Sequence, residues 1–281
     1  MNKVYSIIFF ITISLKLYAA PASRLGSAQI AIDQPTISLG KGVNIPSIQN
    51  MNASHYKIIK AAGFNHVRIP IHPFSQTTGT AEFQLRESFL AMLDTAVNRS
   101  LANGLIPIID FHEHNAMQKD PLGTKPMFLA IWDQIAIHYK DSPSSVLFEV
   151  ANEPNMKAEI WNEILNDAHA IIRKSNPNRT LLIGTINGNQ IKYLKDLKIP
   201  KNDKNVIVTI HYYMPIKFTH QGAQWSKNYK DISGLTWPTA ENGEQEIIAD
   251  FNVAAQWSKE NGIALHLGEF GTYSKSAMDS R

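Results

Sequence analysis

No cysteine occurs among the 281 residues, so no disulfide braces this fold and its core alone must stabilise it. Charge is sparse in both signs: 27 basic residues face 24 acidic ones, for a formal net charge of +3. Two of the lysines, Lys3 and Lys16, flank the longest N-terminal apolar run, and no acid lies in residues 1–22. Without that segment the net charge is +1, which gives no ground for nucleic acid or another anionic partner. The run itself, Val4 to Leu15, is about a dozen residues and too short to span a bilayer. Elsewhere no Pro/Gly/Ser-rich linker or low-complexity tract interrupts the chain.

What is present at the N-terminus is a basic residue, an apolar run and then the small residues Ala19-Ala20-Pro21-Ala22. That order is the order of a secretory signal. Residues 1–22 are therefore read as an export signal and 23–281 as a single domain, secreted or periplasmic and outside any membrane once the signal is removed. An uncleaved N-terminal anchor is the competing reading, and Lys16 would suit it. About 259 residues remain, a length typical of a (β/α)₈ barrel.

Short, β-branched apolar runs start near Ile37, Asn65, Leu105, Val146, Thr180, Val206 and Ala264. Stretches with a helical period separate them, such as Trp161-Ile164-Leu165-Ala168-Ile171-Ile172. Gly63, Gly104 and Gly262 stand where helix C-cap glycines would. Runs such as Val206-Ile207-Val208-Thr209-Ile210 are almost continuously apolar, as parallel strands covered on both faces are. No glycine-rich phosphate loop follows the first run, so an α/β TIM barrel is expected rather than an open doubly wound sheet.

In such a barrel, function gathers at the strand C-termini. Five runs close on polar residues: Arg68, His112-Glu113-His114, Asn152-Glu153-Pro154, His211-Tyr212-Tyr213 and Gly268-Glu269-Phe270-Gly271. Glu153 and Glu269 are the informative pair. Two carboxylates facing across a barrel mouth suit glycosidic bond cleavage, one giving a proton and the other attacking or activating water. His211 and Tyr213, at i and i+2, share a strand face. Asn152 and Glu153 are adjacent and cannot both face inward on a regular strand, so a bulge or strand end is expected there. His112 and His114 would share a face as metal ligands, but no further ligand has a recognised spacing, and neither metal nor cofactor is expected. His55, His66, His72, His138 and His169 form no constellation and read as surface or core-edge residues.

The ordered set Gly42-Val43-Asn44, Val67-Arg68-Ile69-Pro70, Phe148-Glu149-Val150-Ala151-Asn152-Glu153-Pro154, His211-Tyr212-Tyr213 and Gly268-Glu269-Phe270-Gly271 resembles glycoside hydrolase family 5, the cellulase family. The resemblance runs from about Leu39 to Arg281. It implies a retaining endo-β-1,4-glucanase, with other β-glycanases (on mannan, xylan or mixed-linkage glucan) as the alternative, acting as a monomer on a polysaccharide or oligosaccharide. Glu153 takes the general acid/base place, Glu269 the nucleophile place and Asn152 the place that holds the sugar 2-hydroxyl. Tyr213 would bond Glu269, and His211, His112 and Arg68 would order the carboxylates and bind sugar. Trp225 and Trp237, in the long stretch before the last run, are candidates for stacking on sugar rings. Trp132, Trp161 and Trp257 keep helical periods and read as core.

The sequence also departs from the family pattern. Glu113 stands where a second histidine is frequent, and Ser47-Ile48-Gln49-Asn50 replaces a segment whose acid reaches a distal subsite. Only 12 residues follow Glu269, with no strand-like run among Ser274 to Arg281. The expectation is thus a (β/α)₈ barrel whose eighth strand and last helices are missing from this chain, with the first and seventh strands left as open edges. Such a chain would be a fragment, a shortened reading frame or one that needs a partner, and an inactive sugar-binding chain is the alternative reading.

Overall fold

The computed structural model describes residues 37–200, 203–239 and 243–281, together with strand 10–13. Seven parallel strands form a barrel: β2 (Lys41–Asn44), β3 (His66–Ile71), β4 (Ile106–Phe111), β5 (Leu147–Glu149), β6 (Leu181–Gly184), β7 (Val206–Tyr212) and β8 (Ala264–Phe270). Around them lie α1 (Ala53–Ala61), α2 (Glu87–Ala102), α3 (His114–Lys119), α4 (Pro121–His138), α5 (Ala158–Ser175) and α6 (Glu244–Asn261). Gly63, Gly104 and Gly262 all have positive φ at helix ends, and Gly262 caps α6 in the left-handed conformation at φ 64°. Among the described residues no helix is long and apolar enough to cross a membrane.

The seam between β8 and β2 differs from the expectation of two open edges. Strand β1 (Phe10–Ile13) lies there, antiparallel to both neighbours. It pairs with β2 over four residues, from Phe10↔Asn44 to Ile13↔Lys41, and among the described residues it meets β8 at Ile13↔Leu267. Unpaired strand edges recruit any extended segment within reach, which accounts for the antiparallel insertion. Residues 10–13 belong to the run read as an export signal, and the rest of 1–22 lies outside the described residues. After β8 the chain makes one 3₁₀ turn, Met278–Ser280, and no strand, as expected.

Strand alternation divides the core in two. Outward residues such as Val67, Ile69, Ile109, Phe111, Phe148 and Ile183 pack under the helices with the fully buried Trp132 and Trp161. Trp257 only packs partly buried against this cluster. Inward residues Ile108, Leu147, Leu182 and Ile207 form a small apolar plug with Leu39, so the run read near Ile37 supplies the barrel's floor before β2 begins. Above the plug the interior turns polar. There His66, expected at the surface or core edge, is buried edge-on against His266, with ring centres 5.3 Å apart.

Arg179 fixes the entry to β6. Its guanidinium donates to the carbonyls of Tyr139, Ser142, Pro143 and Val146, its Nε donates to Asn176 Oδ1, and it lies 4.9 Å from the Phe148 ring centre. Replacing it strands several buried carbonyls at once. Arg179→Met should lower stability by about 3 kcal/mol in urea unfolding, with Arg179→Lys intermediate.

Candidate active site

Period-two alternation builds the site's floor. The inward positions Asn44 on β2, Arg68 on β3, Asp110 on β4 and Glu149 on β5 follow one another around the barrel, paired in register as Asn44↔Arg68 and Asp110↔Glu149. Arg68 was expected to close its strand; it stands in mid-strand instead, wholly buried in the interior. Its Nε and Nη2 donate to the two oxygens of Glu149 at 2.6 and 2.7 Å. Nη2 also donates to Asn152 Oδ1 at 2.8 Å and lies 3.1 Å from Asp110 Oδ2, while Nη1 donates to Glu269 Oε1 at 2.6 Å. A buried guanidinium is tolerable only with such a set of partners.

Glu269 reaches the interior through a break in alternation. Ala264 and His266 face inward on β8, so Glu269 would face outward on a regular strand. The pairing shifts from Ile210↔Leu267 to His211↔Glu269, a bulge at Gly268 that restores the inward direction. Gly268 has no room for a side chain, because a Cβ there would stand 2.3 Å from Thr209 Oγ1 and 3.0 Å from His211 Nε2. The same Glu269 carboxylate accepts from the Tyr213 hydroxyl at 2.8 Å and lies 3.6 Å from His211 Nδ1. Tyr212 points the other way and bonds Asp250, as the shared face of His211 and Tyr213 requires.

Glu153 also stands where regularity ends. β5 stops at Glu149, and Glu153 adopts a left-handed backbone at φ 45° in the turn that follows. That strand end lets both Asn152 and Glu153 enter the site. His211 Nδ1 lies 2.8 Å from Glu153 Oε1, and one oxygen each of Glu153 and Glu269 lie within 4.8 Å of each other. His112 follows the end of β4, with Nδ1 2.6 Å from Asp110 Oδ2 and Nε2 3.3 Å from Asn152 Nδ2. His114 does not share a strand face with it: β4 ends at Phe111, and His114 opens α3 with Nδ1 3.3 Å from Asn152 Nδ2. The His112/His114 metal reading loses its geometric premise. Glu113 turns away and accepts from the Phe74 backbone N–H at 2.9 Å, holding the loop after β3.

The electrostatics of the two glutamates differ. Burial works against ionisation of Glu269, but His211, Arg68, His112 and the Tyr213 hydroxyl outweigh it and hold its carboxyl down at about 2. Burial also opposes a charge on His211, yet Glu269 and Glu153 raise its affinity for a proton above the ordinary histidine value. His112 is likewise raised despite burial, mainly by Asp110. Glu153 has no guanidinium contact and more exposure, its side chain being 28% accessible against 12% for Glu269.

Above the pair opens a cleft of about 330 Å³ lined by Glu153, Tyr213, His220, Trp225, Glu269 and Tyr273. Trp225 is 60% exposed and meets Tyr273 edge to face, with ring centres 4.7 Å apart. Trp237 is not among the lining residues; it is half-buried in the loop, its Nε1 buried without a hydrogen-bond partner.

A family model described as Cellulase (glycosyl hydrolase family 5) matches residues 34–281. The chain belongs to glycosyl hydrolase family 5. Endoglucanase H of Acetivibrio thermocellus is 33% identical over 81% of this chain, which spans 24% of that protein. Cellodextrinase A of Ruminococcus flavefaciens is 29% identical over 78% of the chain, covering 68% of its own length. Among solved structures, Thermotoga maritima Cel5A in complex with mannotriose superposes with a TM-score of 0.82 at 36% identity, over 85% of this chain and 82% of that one. The cellulose synthase subunit Z of Clostridioides difficile gives 0.81 at 35% identity, over 85% and 83%.

Within this family 5 site, several contributors were given no role in the sequence reading. Asp110, Glu149 and Asn44 are inward positions of strands, and the available signal was a charged or amide residue inside an apolar run. Asn189, buried 3.2 Å from His211 Nε2, lies in a loop with no motif to mark it. Two outcomes follow. Gly268→Ala should lose ~1–3 kcal/mol in thermal unfolding, because its methyl must displace Thr209 or His211. The Tyr213 hydroxyl bonds the ionised form of Glu269, so Tyr213→Phe should raise that carboxyl from about 2, read by ¹³C NMR of labelled glutamate.

Proposed function

We propose that this chain is a retaining endo-β-1,4-glucanase, with Glu269 as nucleophile and Glu153 as general acid/base. The carrying observation is the carboxylate pair, with oxygens within 4.8 Å in unlike surroundings. Retaining glycosidases keep their carboxyls about 5–5.5 Å apart, whereas inverting ones leave room for a water. Glu269 has the environment of a permanently ionised nucleophile, since Arg68 and Tyr213 each occupy one of its oxygens.

In the first step protonated Glu153 gives its proton to the glycosidic oxygen as that oxygen leaves the anomeric carbon. Glu269 forms the new bond to that carbon, giving a covalent glycosyl-enzyme. In the second step ionised Glu153 takes a proton from water, whose oxygen displaces Glu269 and releases the sugar with its configuration retained. Asn152 Nδ2 faces the site while its Oδ1 is fixed by Arg68, the orientation needed to donate to a 2-hydroxyl. The exposed indole of Trp225 offers a platform for a sugar C–H face on an open cleft, which suits cleavage within a chain. No metal or cofactor is needed for these steps.

Hydrolysis of mannan is the second reading, favoured by the neighbouring structure that holds mannotriose. Export is part of the proposal, and processing after the small residues near position 20 would remove β1. N-terminal sequencing of the exported protein tests that. For the chemistry, Glu153→Gln and Glu269→Gln should each cut carboxymethylcellulose hydrolysis by about 10³-fold or more. NMR of the first product should show the β-anomer; an α-anomer would overturn the retaining reading. Faster cleavage of mannan would favour the alternative substrate. Binding of cellotetraose without hydrolysis by any form would favour an inactive sugar-binding chain.

A further inference from the structure

Asn189 is a wholly buried amide in the loop between β6 and the 3₁₀ turn Ile191–Asp196. The three residues Asn187, Gly188 and Asn189 all have positive φ, at 53°, 78° and 53°. Such backbone is unfavourable for residues with a Cβ and persists only where the surroundings enforce it. Here the loop is pinned: Asn187 N–H donates to the Pro154 carbonyl at 2.7 Å, tying it to the turn that carries Glu153, and Thr185 Oγ1 donates to the Gln190 carbonyl at 3.0 Å. Gly184 leaves the space for the amide, since a Cβ there would stand 2.1 Å from Asn189 Oδ1. The contact this arrangement produces is Asn189 Nδ2 to His211 Nε2, at 3.2 Å.

An amide nitrogen only donates, so in this orientation Nε2 is bare and the proton of neutral His211 sits on Nδ1. Nδ1–H then points at Glu153 Oε1, 2.8 Å away, and past it to Glu269 Oε2 at 3.6 Å. We propose that Asn189 is a positioning residue that sets the tautomer and charge of His211: its amide donates to bare Nε2, and turned over it accepts from Nε2–H when His211 takes a second proton. The turn breaks no existing bond on the oxygen side, because Oδ1 has no hydrogen-bond partner in the present orientation. His211 thus keeps a buried partner in both charge states.

The charge so controlled lies among Glu153 from the β5 turn, Glu269 and His266 from β8, Arg68 from β3 and Glu149 from β5. The carboxylates favour a second proton; Arg68 and burial oppose it. An imidazolium beside Glu153 eases loss of the Glu153 proton, and a neutral imidazole does not. Asn189 therefore biases proton delivery from Glu153, a consequence that rests on the reading of Glu153 as general acid.

The test uses the full chain labelled with ¹⁵N-histidine, in wild-type, Asn189→Ala and Asn189→Asp forms. Long-range ¹H–¹⁵N spectra between pH 4 and 9 give the tautomer and titration of His211. In wild type the neutral ring should carry its proton on Nδ1. An ionised aspartate only accepts, so Asn189→Asp should hold Nε2–H and move the His211 titration up by about one pH unit or more. Asn189→Ala should give a mixture of tautomers. The ring signals of His138 and His169, paired with Asp94 and Asp203 outside the site, should match those of wild type in every form. If the alanine variant does not fold, the near-isosteric aspartate variant carries the test alone.

On carboxymethylcellulose, Asn189→Asp should shift a limb of the kcat/KM pH profile and leave KM unchanged. The same His211 tautomer and titration in every folded form would overturn the inference, as would a wild-type neutral ring protonated on Nε2. An inactive wild type with the expected spectra would remove the hydrolase reading and leave this inference standing. An active one with unmoved spectra would do the reverse.

Discussion

A guanidinium sealed inside a barrel constrains everything within reach. Arg68 has no access to water, so its donors must be satisfied by the protein, and the partners it finds are Glu149, Asp110, Asn152, Glu269 and Asn44. Breaking one partner of such a set leaves an uncompensated buried charge, worth about 3–5 kcal/mol in comparable cases. The bidentate grip of Glu149 fixes the plane of the guanidinium. Its Nη1 corner then donates to Glu269 at 2.6 Å and, at the longer 3.4 Å, to Asn44 Oδ1. Positioning of that carboxylate is therefore a property of the strand layer beneath it, while His211, Arg68, His112 and Tyr213 together hold it ionised.

Both glutamates of the pair occur where secondary structure is interrupted. Glu269 owes its inward direction to the bulge at Gly268, and Glu153 owes its place to a left-handed residue beyond the end of β5. A regular barrel offers inward positions only at every second residue, at heights fixed by the stagger of the strands. Two carboxyls that must approach to one sugar-bond's distance do not fall on that lattice. The bulge inserts one residue ahead of Glu269, the strand end frees Glu153 from the alternation, and the strands on either side hold the result.

Much of this was legible beforehand because strand ends carry a distinct chemical signature. Seven runs, the glycines behind the helices, and the group Glu153, Glu269, His211, Tyr213, Asn152 and His112 all emerge from apolar runs that stop on polar residues. Arg68 was found for an inexact reason, since it lies in mid-strand. Asp110 and Glu149 were passed over because an acid within an apolar run looks like an imperfection in the run until its partner across the barrel is known. The bulge at Gly268 was invisible for a related reason: parity along β8 can be counted only against the register of β7. Trp225 and Trp237 had equal standing as loop aromatics, and only the path of that loop separates the one that lines the cleft from the one that does not.

The seam next to β8 has a consequence for how this molecule would fail. β8 is joined to β7 along its length but, among the described residues, to β1 through one residue pair, Ile13↔Leu267, two positions before Glu269. Cooperative units of a protein open with different free energies, and the fewest shared hydrogen bonds mark the lowest. Among the described residues, the strand that bears Glu269 thus flanks the junction of the barrel with the shortest ladder. Fraying there would draw Glu269 away from Arg68 and Tyr213 while the β3–β7 wall and its helices stayed packed. The molecule would lose its chemistry as a folded body, before it lost its shape.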